Sequence, residues 1–553
     1  MSENRCPFIW LLGENEATTA NNNAFYFWQY ITAQRDDIAA YFVLTDTAAH
    51  RELVRTLPAE EQSRVLWKNS YRHLKFYRAA DLFLVSFSVR DILPDRLFGR
   101  KIRFRLKKPL VYLQHGTTAI KKLGYTGDSY GNHLLRFMVY NPLIADEIVQ
   151  ENGFAPYQLH FAAFHPRYQE MARRLLSQQE AGQELRGILW FVTWREYFSD
   201  TETVRAFLQT VRAVLTDKRL AAYLTERQEQ LTLCIHHLFD KAAGEEILAL
   251  QKEVAPLVRI VRQSDCDVMA LLLQNRLLVT DYSSVGFDFS FLGRPVVLFL
   301  PDIDRYLEKR EIYCRPEELT QGACFTPEEL VLRLLGESSG VLPFYRRRLP
   351  HDIPYADIAD GVYQQRMYAA LGEMQRRRVV LFGVDYGARR SENAAALRLA
   401  EWLLSRGYRV ELQSLKTRPG GQPLPGGLTH NAFYDESARV PWQCLRRIGK
   451  ARLANTDETV APYALRALRR SFCRCRCADA IVTAPALLPL TAAADAPGVG
   501  RLWTVCPQQG EEMSLPTVTE RCSGENLQTT ADWERTFPPL TEGRIGNREG
   551  EKR

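Results

Sequence analysis

LLVTDYSSVGFDFSFLGRPVVLFLPD, from Leu277 to Asp302, decides the fold. Leu277, Leu278 and Val279 form a short apolar run without helical spacing, which predicts a buried strand. Thr280, Asp281, Ser283 and Ser284 then break the run with helix-starting residues. Val285, Phe289 and Leu292 follow at i, i+4 and i+7, Gly293 and Pro295 stop the helix, and Val296 to Leu300 reads as the next strand. Strand, polar turn, short helix and strand make one βαβ unit of a parallel sheet. The turn has two readings. Unpaired amides and two hydroxyls at the positive end of a helix suit a phosphate or diphosphate at the carboxyl edge of a sheet. Alternatively, Asp281, Ser283 or Ser284 only caps the helix.

Working outward, the same alternation recurs on both sides. Phe8 to Leu12, Ile38 to Leu44, Arg64 to Lys68, Ala80 to Phe87 and Leu110 to Leu113 read as strands, with an aromatic-rich helix over Ala24 to Ile31. The Leu110 strand delivers His115 to its carboxyl end, beside a Gly116-Thr117 turn and the Lys121-Lys122 pair. An imidazole there, with an ordinary pKa near ~6.5, is suited to taking a proton from an alcohol. A hydrogen-bonded structural histidine is the other reading, and it is the one adopted for His73, His133, His160 and His165. After a Gln- and Glu-rich link over Leu175 to Leu185 the pattern restarts. Ile188 to Val192, Leu231 to Ile235 and Leu257 to Val261 are strands, with helices over Thr203 to Leu215 and Val268 to Leu273. The helical stretch from Ala356 to Arg378 closes this half. A further unit opens with strands over Val379 to Phe382 and Val410 to Gln413 around a helix over Ala394 to Leu404.

Two stretches carry a family resemblance. TDYSSVGFDFSFLGRPVVLFLPDIDRYLEKREIY (Thr280 to Tyr313) and QHGTTAIKKLGY (Gln114 to Tyr125) resemble the signatures of the CDP-glycerol glycerophosphotransferases, which include teichoic-acid primases and polymerases. Weaker matches at the opening WLLGENE, at ILWFVTWREY and at LCIHHL follow in the family's order. The resemblance implies an α/β GT-B fold with two Rossmann-like lobes: residues 1–180 on the acceptor side and 186–375 binding CDP-glycerol. Residues 379–504 resemble the opening half of a family 4-type glycosyltransferase, expected to have no activity of its own, and 508–553 reads as a disordered tail. The implied catalytic residues are His115, as base, and His236, with His237 in reserve. The implied substrate-binding residues are Gly116, Thr117, Lys121, Arg195, Thr280, Asp281, Ser283, Ser284 and Arg310. No metal site and no obligatory cofactor are expected, and dependence on a divalent metal is left open. The implied partners are CDP-glycerol, a polyol-phosphate or lipid-linked acceptor and an anionic membrane surface, with no nucleic acid. Thr118 stands where the family has Pro, Glu311 where it has Gly, HPRYQE from His165 where it has Asn-Pro-Arg-x-Asp, and Cys234 where it has a basic residue.

Composition narrows the setting. A chain of 553 residues needs three or four domain-sized units. A net charge of +7 leans toward polyanionic ligands or an anionic membrane face. The basic run Arg100, Lys101, Arg103, Arg105, Lys107 and Lys108 is either a contact for such a face or a solvated surface. Eleven scattered cysteines make no disulfide framework, and Cys473, Cys475 and Cys477 lack the partners of a tetrahedral metal site. Without a signal peptide or a spanning segment, the expected place is cytoplasmic, peripheral on the inner membrane face. Two other functions fit the same pattern: a nucleotide-sugar glycosyltransferase of the GT-B type, and a non-catalytic scaffold in a polymer-assembly complex.

Overall fold

The computed structural model describes residues 7–34, 37–95, 108–127, 129, 134–140, 144–198, 200–236, 238–316, 323–336, 353–383, 386, 391–417, 424–435, 477–483, 499–505, 518–520, 526–527 and 530–539. Arg100 to Lys107, His133, His237, Cys473 and Cys475 lie outside them. Among the described residues the strands form three sheets.

The first sheet contains β1 (Phe8–Gly13), β2 (Ile38–Leu44), β3 (Val65–Trp67), β4 (Leu82–Val85), β5 (Leu110–Tyr112), β6 (Leu134–Val139) and β7 (Leu159–Phe161) in the order β3-β2-β1-β4-β5-β6-β7. Every pairing is parallel. The second contains β8 (Ile188–Phe191), β9 (Leu231–Ile235), β10 (Val258–Arg262), β11 (Leu277–Thr280) and β12 (Val296–Leu298) in the order β10-β9-β8-β11-β12, again all parallel. Both are doubly wound sheets whose strand order reverses beside the first strand, and ligands bind outside the carboxyl ends at that reversal. All four residues of β11 are buried, as expected of a strand covered on both faces. The helix after it is short, Val285–Phe291. Arg294 of the following turn gives its guanidinium to the carbonyls of Leu272, Leu273 and Asn275 at 2.8–2.9 Å, satisfying the end of the Val268–Gln274 helix.

The expected links differ in detail. Helix Tyr168–Glu180 runs through the first half of the proposed link and buries Leu175, so the crossing between lobes begins later. The helical stretch from Ala356 is broken at Gly361, whose φ of +82° starts a second helix, Val362–Arg376. A Cβ on Gly361 would also meet Gln169 Nε2 at 2.7 Å. This second helix does not close the second lobe. It crosses back onto the first, where Tyr368 packs on Trp10 and Arg376 pairs with Asp37 at 2.9 Å.

The third sheet joins β13 (Arg378–Gly383), β14 (Arg409–Thr417), β15 (Thr429–Asp435), β16 (Cys477–Val482), β17 (Val499–Val505), β18 (Val518–Glu520) and β19 (Asn526–Leu527), in the order β15-β14-β13-β16-β17-β18-β19. The last two are antiparallel additions. Residues 508–553 are therefore not wholly disordered: β18, β19 and helix Thr530–Thr536 belong to the fold, with Trp533 and Phe537 fully buried. At the carboxyl end of β13, the Tyr386 ring fills the space where Gly383 would carry a Cβ, 2.6 Å away. Its hydroxyl lies 2.9 Å from Thr483 Oγ1, so the protein plugs this sheet's own crevice.

This unit shares one apolar core with the first lobe. Trp10, Trp28, Leu84, Leu135, Tyr368, Val379, Leu403, Trp503 and Trp533 fall in a single buried cluster. Tyr157 donates to the Gly426 carbonyl at 3.0 Å across the same contact. Fully burying such side chains contributes ~1.5–3 kcal/mol each, so the third unit is part of what folds the first. A chain ending at Arg378 should melt below the full chain and self-associate. Scanning calorimetry with gel filtration checks this, and a monomeric fragment with an unshifted transition would contradict it.

Candidate functional site

In the second lobe, β8 and β11 are the adjacent strands at the reversal. Their carboxyl ends are tied by one residue. Arg195, with a side chain 0% exposed, donates to Asp281 at 2.6 Å and to Asp302 at 3.0 Å. Thr193 gives its amide (3.0 Å) and hydroxyl (2.5 Å) to Asp281, and Tyr197 and Tyr282 donate to Asp302. The guanidinium is enclosed by the Phe207 and Tyr282 rings. Facing carboxylates outweigh the cost of burial and raise its pKa. Thr280 is likewise turned inward, its hydroxyl on the Phe191 carbonyl at 3.0 Å. Arg195, Thr280 and Asp281, expected to touch substrate, thus lie behind the wall with protein partners and shape the turn. Ser283 and Ser284 stand at its surface, half-buried. The seven-residue helix they precede has only a short dipole, so the two hydroxyls are what the turn chiefly offers.

In the first lobe, β5 is followed by Leu113, Gln114 and His115. Gln114 has a φ of +56°, strained for a residue with a side chain. It is held from every side. Its carbonyl accepts from Asn23 Nδ2 at 2.7 Å, and its amide group donates to the Met138 carbonyl and accepts from the Thr118 hydroxyl. The Thr118 hydroxyl therefore secures the kink. His115 stacks on Phe87 with ring centroids 4.5 Å apart. Phe87 is placed in turn by the buried Asp91, which accepts its amide at 2.8 Å, and by Tyr112 and Tyr125 on its carbonyl. His115 is exposed on the lining of the cleft. Enclosure by the walls, followed by the charge of Arg167, pushes its pKa down to about 4. It is a neutral imidazole at pH 7, not the unperturbed group anticipated from the sequence. Thr117 is buried, its Oγ1 2.9 Å from His165 Nε2. His165 is itself buried, stacked on Tyr140 and kept neutral by desolvation, the structural role assigned to it.

The two turns meet. A Cβ on Gly116 would lie 2.3 Å from Ser284 Oγ and 2.9 Å from Ser284 Cβ, so glycine is what allows the approach. Between the lobes is a cavity of about 690 Å³, within the usual size of ligand sites. His115, Gly116, Thr117 and Lys121 line one side, and His236, Ser283, Ser284 and Arg310 the other, with Thr193, Trp194 and Gln263 between. Lys121 is pushed down to about 8 by burial, partly offset by Asp281. Lys122 and Glu311 pair at 3.4 Å, and Lys122 N donates to the Glu311 carbonyl, joining the rims across the lobes. No carboxylate lines the cavity among the described residues, while two imidazoles, two lysines and an arginine do. Such a lining suits an anion carrying several oxygens.

Sequence reasoning missed Phe87, Gln114 and Arg167. Arg167 had a signal in the HPR run after β7 and Gln114 one as the first residue of the QHGTTAIKKLGY stretch; Phe87 had none, because its role depends on distant loops.

Residues 9–368 match the family described as CDP-Glycerol:Poly(glycerophosphate) glycerophosphotransferase. The minor teichoic acid biosynthesis protein GgaB of Bacillus subtilis strain 168 is 20% identical over 403 residues, 68% of this chain and 41% of that protein. A teichoic acid poly(glycerol phosphate) polymerase of the same strain is 51% identical over 43 residues, 8% of this chain and 6% of its own. The chain thus spans less than half the length of these curated relatives. The wall teichoic acid polymerase TagF has a solved structure that superposes with a TM-score of 0.46 at 16% identity, over 66% of this chain and 88% of that one.

The Gly116 contact is testable by itself. Gly116→Ala should cost ~1–3 kcal/mol by overpacking, and adding Ser284→Gly should recover most of the loss. Thermal melts of the singles and the double read the coupling; simple additivity would remove the contact from consideration.

Proposed function

The chain belongs to the CDP-glycerol:poly(glycerophosphate) glycerophosphotransferase family, and from that premise we propose that it transfers glycerol phosphate from CDP-glycerol to a hydroxyl of a polyol-phosphate or lipid-linked acceptor, releasing CMP. The observation that carries this reading is one cleft, lined among the described residues by cations and hydroxyls without a carboxylate, in which the His115 turn and the Ser283-Ser284 turn face each other.

In this reading a neutral His115 accepts the acceptor's hydroxyl proton as the oxygen attacks the phosphorus of the glycerol phosphate group. The bond from that phosphorus to the CMP oxygen breaks, and CMP departs with the electron pair. Lys121, Arg310, His236 and the serine hydroxyls face the diphosphate, where fixed donors stabilise charge as it moves onto the leaving group. A diphosphate beside His115 also favours its protonated form, offsetting the desolvation that otherwise depresses it. The acceptor enters from the first lobe, and an anionic membrane surface on the cytoplasmic side is its proposed source, met by a net charge of +7 and the basic run from Arg100 to Lys108. No helix among the described residues is long and apolar enough to cross a membrane.

His115→Ala should lower turnover by ~10²–10⁴-fold while leaving CDP-glycerol affinity within a few fold. Ser284→Ala and His236→Ala should weaken both. Radiolabelled CDP-glycerol with a glycerol-phosphate primer measures transfer, and calorimetry measures affinity; loss of donor binding in His115→Ala would reassign that residue. In the wild type, kcat/KM reports the free enzyme and should stay level to about pH 5, falling below it as His115 takes up a proton near its pKa of about 4.

A further inference from the structure

Arg167 follows β7 in the first lobe, and its guanidinium reaches in two directions. Nη2 donates to Asp288 Oδ1 at 2.5 Å. Nη1 donates to the His115 carbonyl at 2.9 Å and to Asn22 Oδ1 and Asn23 Oδ1, each at 3.2 Å. Asp288 lies one helical turn beyond Ser284 in the Val285–Phe291 helix of the second lobe, and Tyr168 also donates to it, at 2.7 Å. The side chains of Arg167 and Asp288 are 7% and 11% exposed.

From this geometry we infer that Arg167 is a positioning residue that fixes the His115 turn against the Ser283-Ser284 turn, holding both through one rigid fork. The inference rests on the transfer reaction proposed above and adds a role to a residue outside its cavity. A buried ion pair gains little net stability over an apolar replacement of the same shape, because both charges leave water. What it does supply is geometry, since the planar guanidinium fixes the angle between its two partners in a way that a lysine cannot. Here those partners are the backbone of the proposed base and the helix carrying the proposed diphosphate contact. A 1 Å error in such a placement can cost ~10²-fold in rate.

The test compares full-length Arg167→Met, Arg167→Lys and Asp288→Asn with the wild type. Turnover with CDP-glycerol and primer should fall by ~10²-fold in Arg167→Met and Asp288→Asn, with donor affinity by calorimetry within about 3-fold. The double variant should be little worse than either single, because one fork is lost in each case. Arg167→Lys keeps the charge without the fork and should remain ~10-fold low or worse.

A pH profile separates positioning from simple loss of structure. Arg167 and Lys121 both face His115 and disfavour its protonated form, and His165 lies behind it as a neutral ring. Arg167→Met should therefore move the acid limb of kcat/KM to higher pH, whereas Asp288→Asn, which leaves the cation in place, should not. Turnover within 3-fold of wild type in folded Arg167→Met or Asp288→Asn, or a loss confined to KM, would overturn the inference. If Arg167→Met does not fold, the isosteric Asp288→Asn decides alone. If the wild type transfers nothing from CDP-glycerol, the proposed reaction fails separately. Thermal melts of Arg167→Met, Asp288→Asn and the double variant then decide the fork: strong non-additivity is expected, and simple additivity discards it.

Discussion

The cleft depends on one buried cation. Arg195 sits between two carboxylates that come from different strand ends, Asp281 after β11 and Asp302 after β12, while Thr193 at the end of β8 bonds to Asp281. Three strand ends are thereby fixed relative to each other without a side chain spent on solvent. Breaking one partner of such a group leaves an unpaired buried charge, a cost of ~3–5 kcal/mol. The Ser283-Ser284 turn has its shape because the residues immediately before it are not free to move. The first lobe uses the same device in neutral form: the strained Gln114 is held by Asn23, Met138 and Thr118, and delivers His115.

The rim has its own order. Segment 311–314 runs antiparallel to segment 119–122, with Tyr313 N on the Ile120 carbonyl at 2.8 Å and Lys121 bridged to Ile312. Tyr313 also donates to Asn152 Oδ1 at 2.6 Å. The carboxylate of Glu311 meets Lys122, a residue supplied by the opposite lobe. Substitution at this position changes how the rims are joined and leaves the cavity floor untouched, which separates differences in fit from differences in chemistry.

Strands and helices of the two lobes were legible because their signals are local. An apolar run ending in Asp281, Ser283 and Ser284 can be read without knowing what packs on it, and Ile38–Leu44 and Leu231–Ile235 were read to the residue. Contacts between distant segments were not. Nothing near Arg195 in the chain says that it faces Asp302, and a turn motif does not reveal which of its polar residues point inward. The downward shift of the His115 pKa was not legible for the same reason, since it follows from burial and from Arg167, which is distant in the chain. The C-terminal segment was misread because its composition is polar, although two buried aromatics, Trp533 and Phe537, are enough to seat a seven-residue helix in a hole other segments have built.

The shared core has a consequence for synthesis. The sheet made first is covered by the Val362–Arg376 helix and by a unit that closes with residues made near the end of the chain. At the usual pace of ~5–20 residues per second, the ribosome needs roughly 15 s or more to supply that cover after the first sheet has emerged. During that interval Trp10 has yet to meet Tyr368, and the cluster that joins it to Val379, Leu403, Trp503 and Trp533 cannot form. The first lobe therefore completes its core only once the third unit has been made, whereas the sheet of the second lobe is completed within about a hundred contiguous residues.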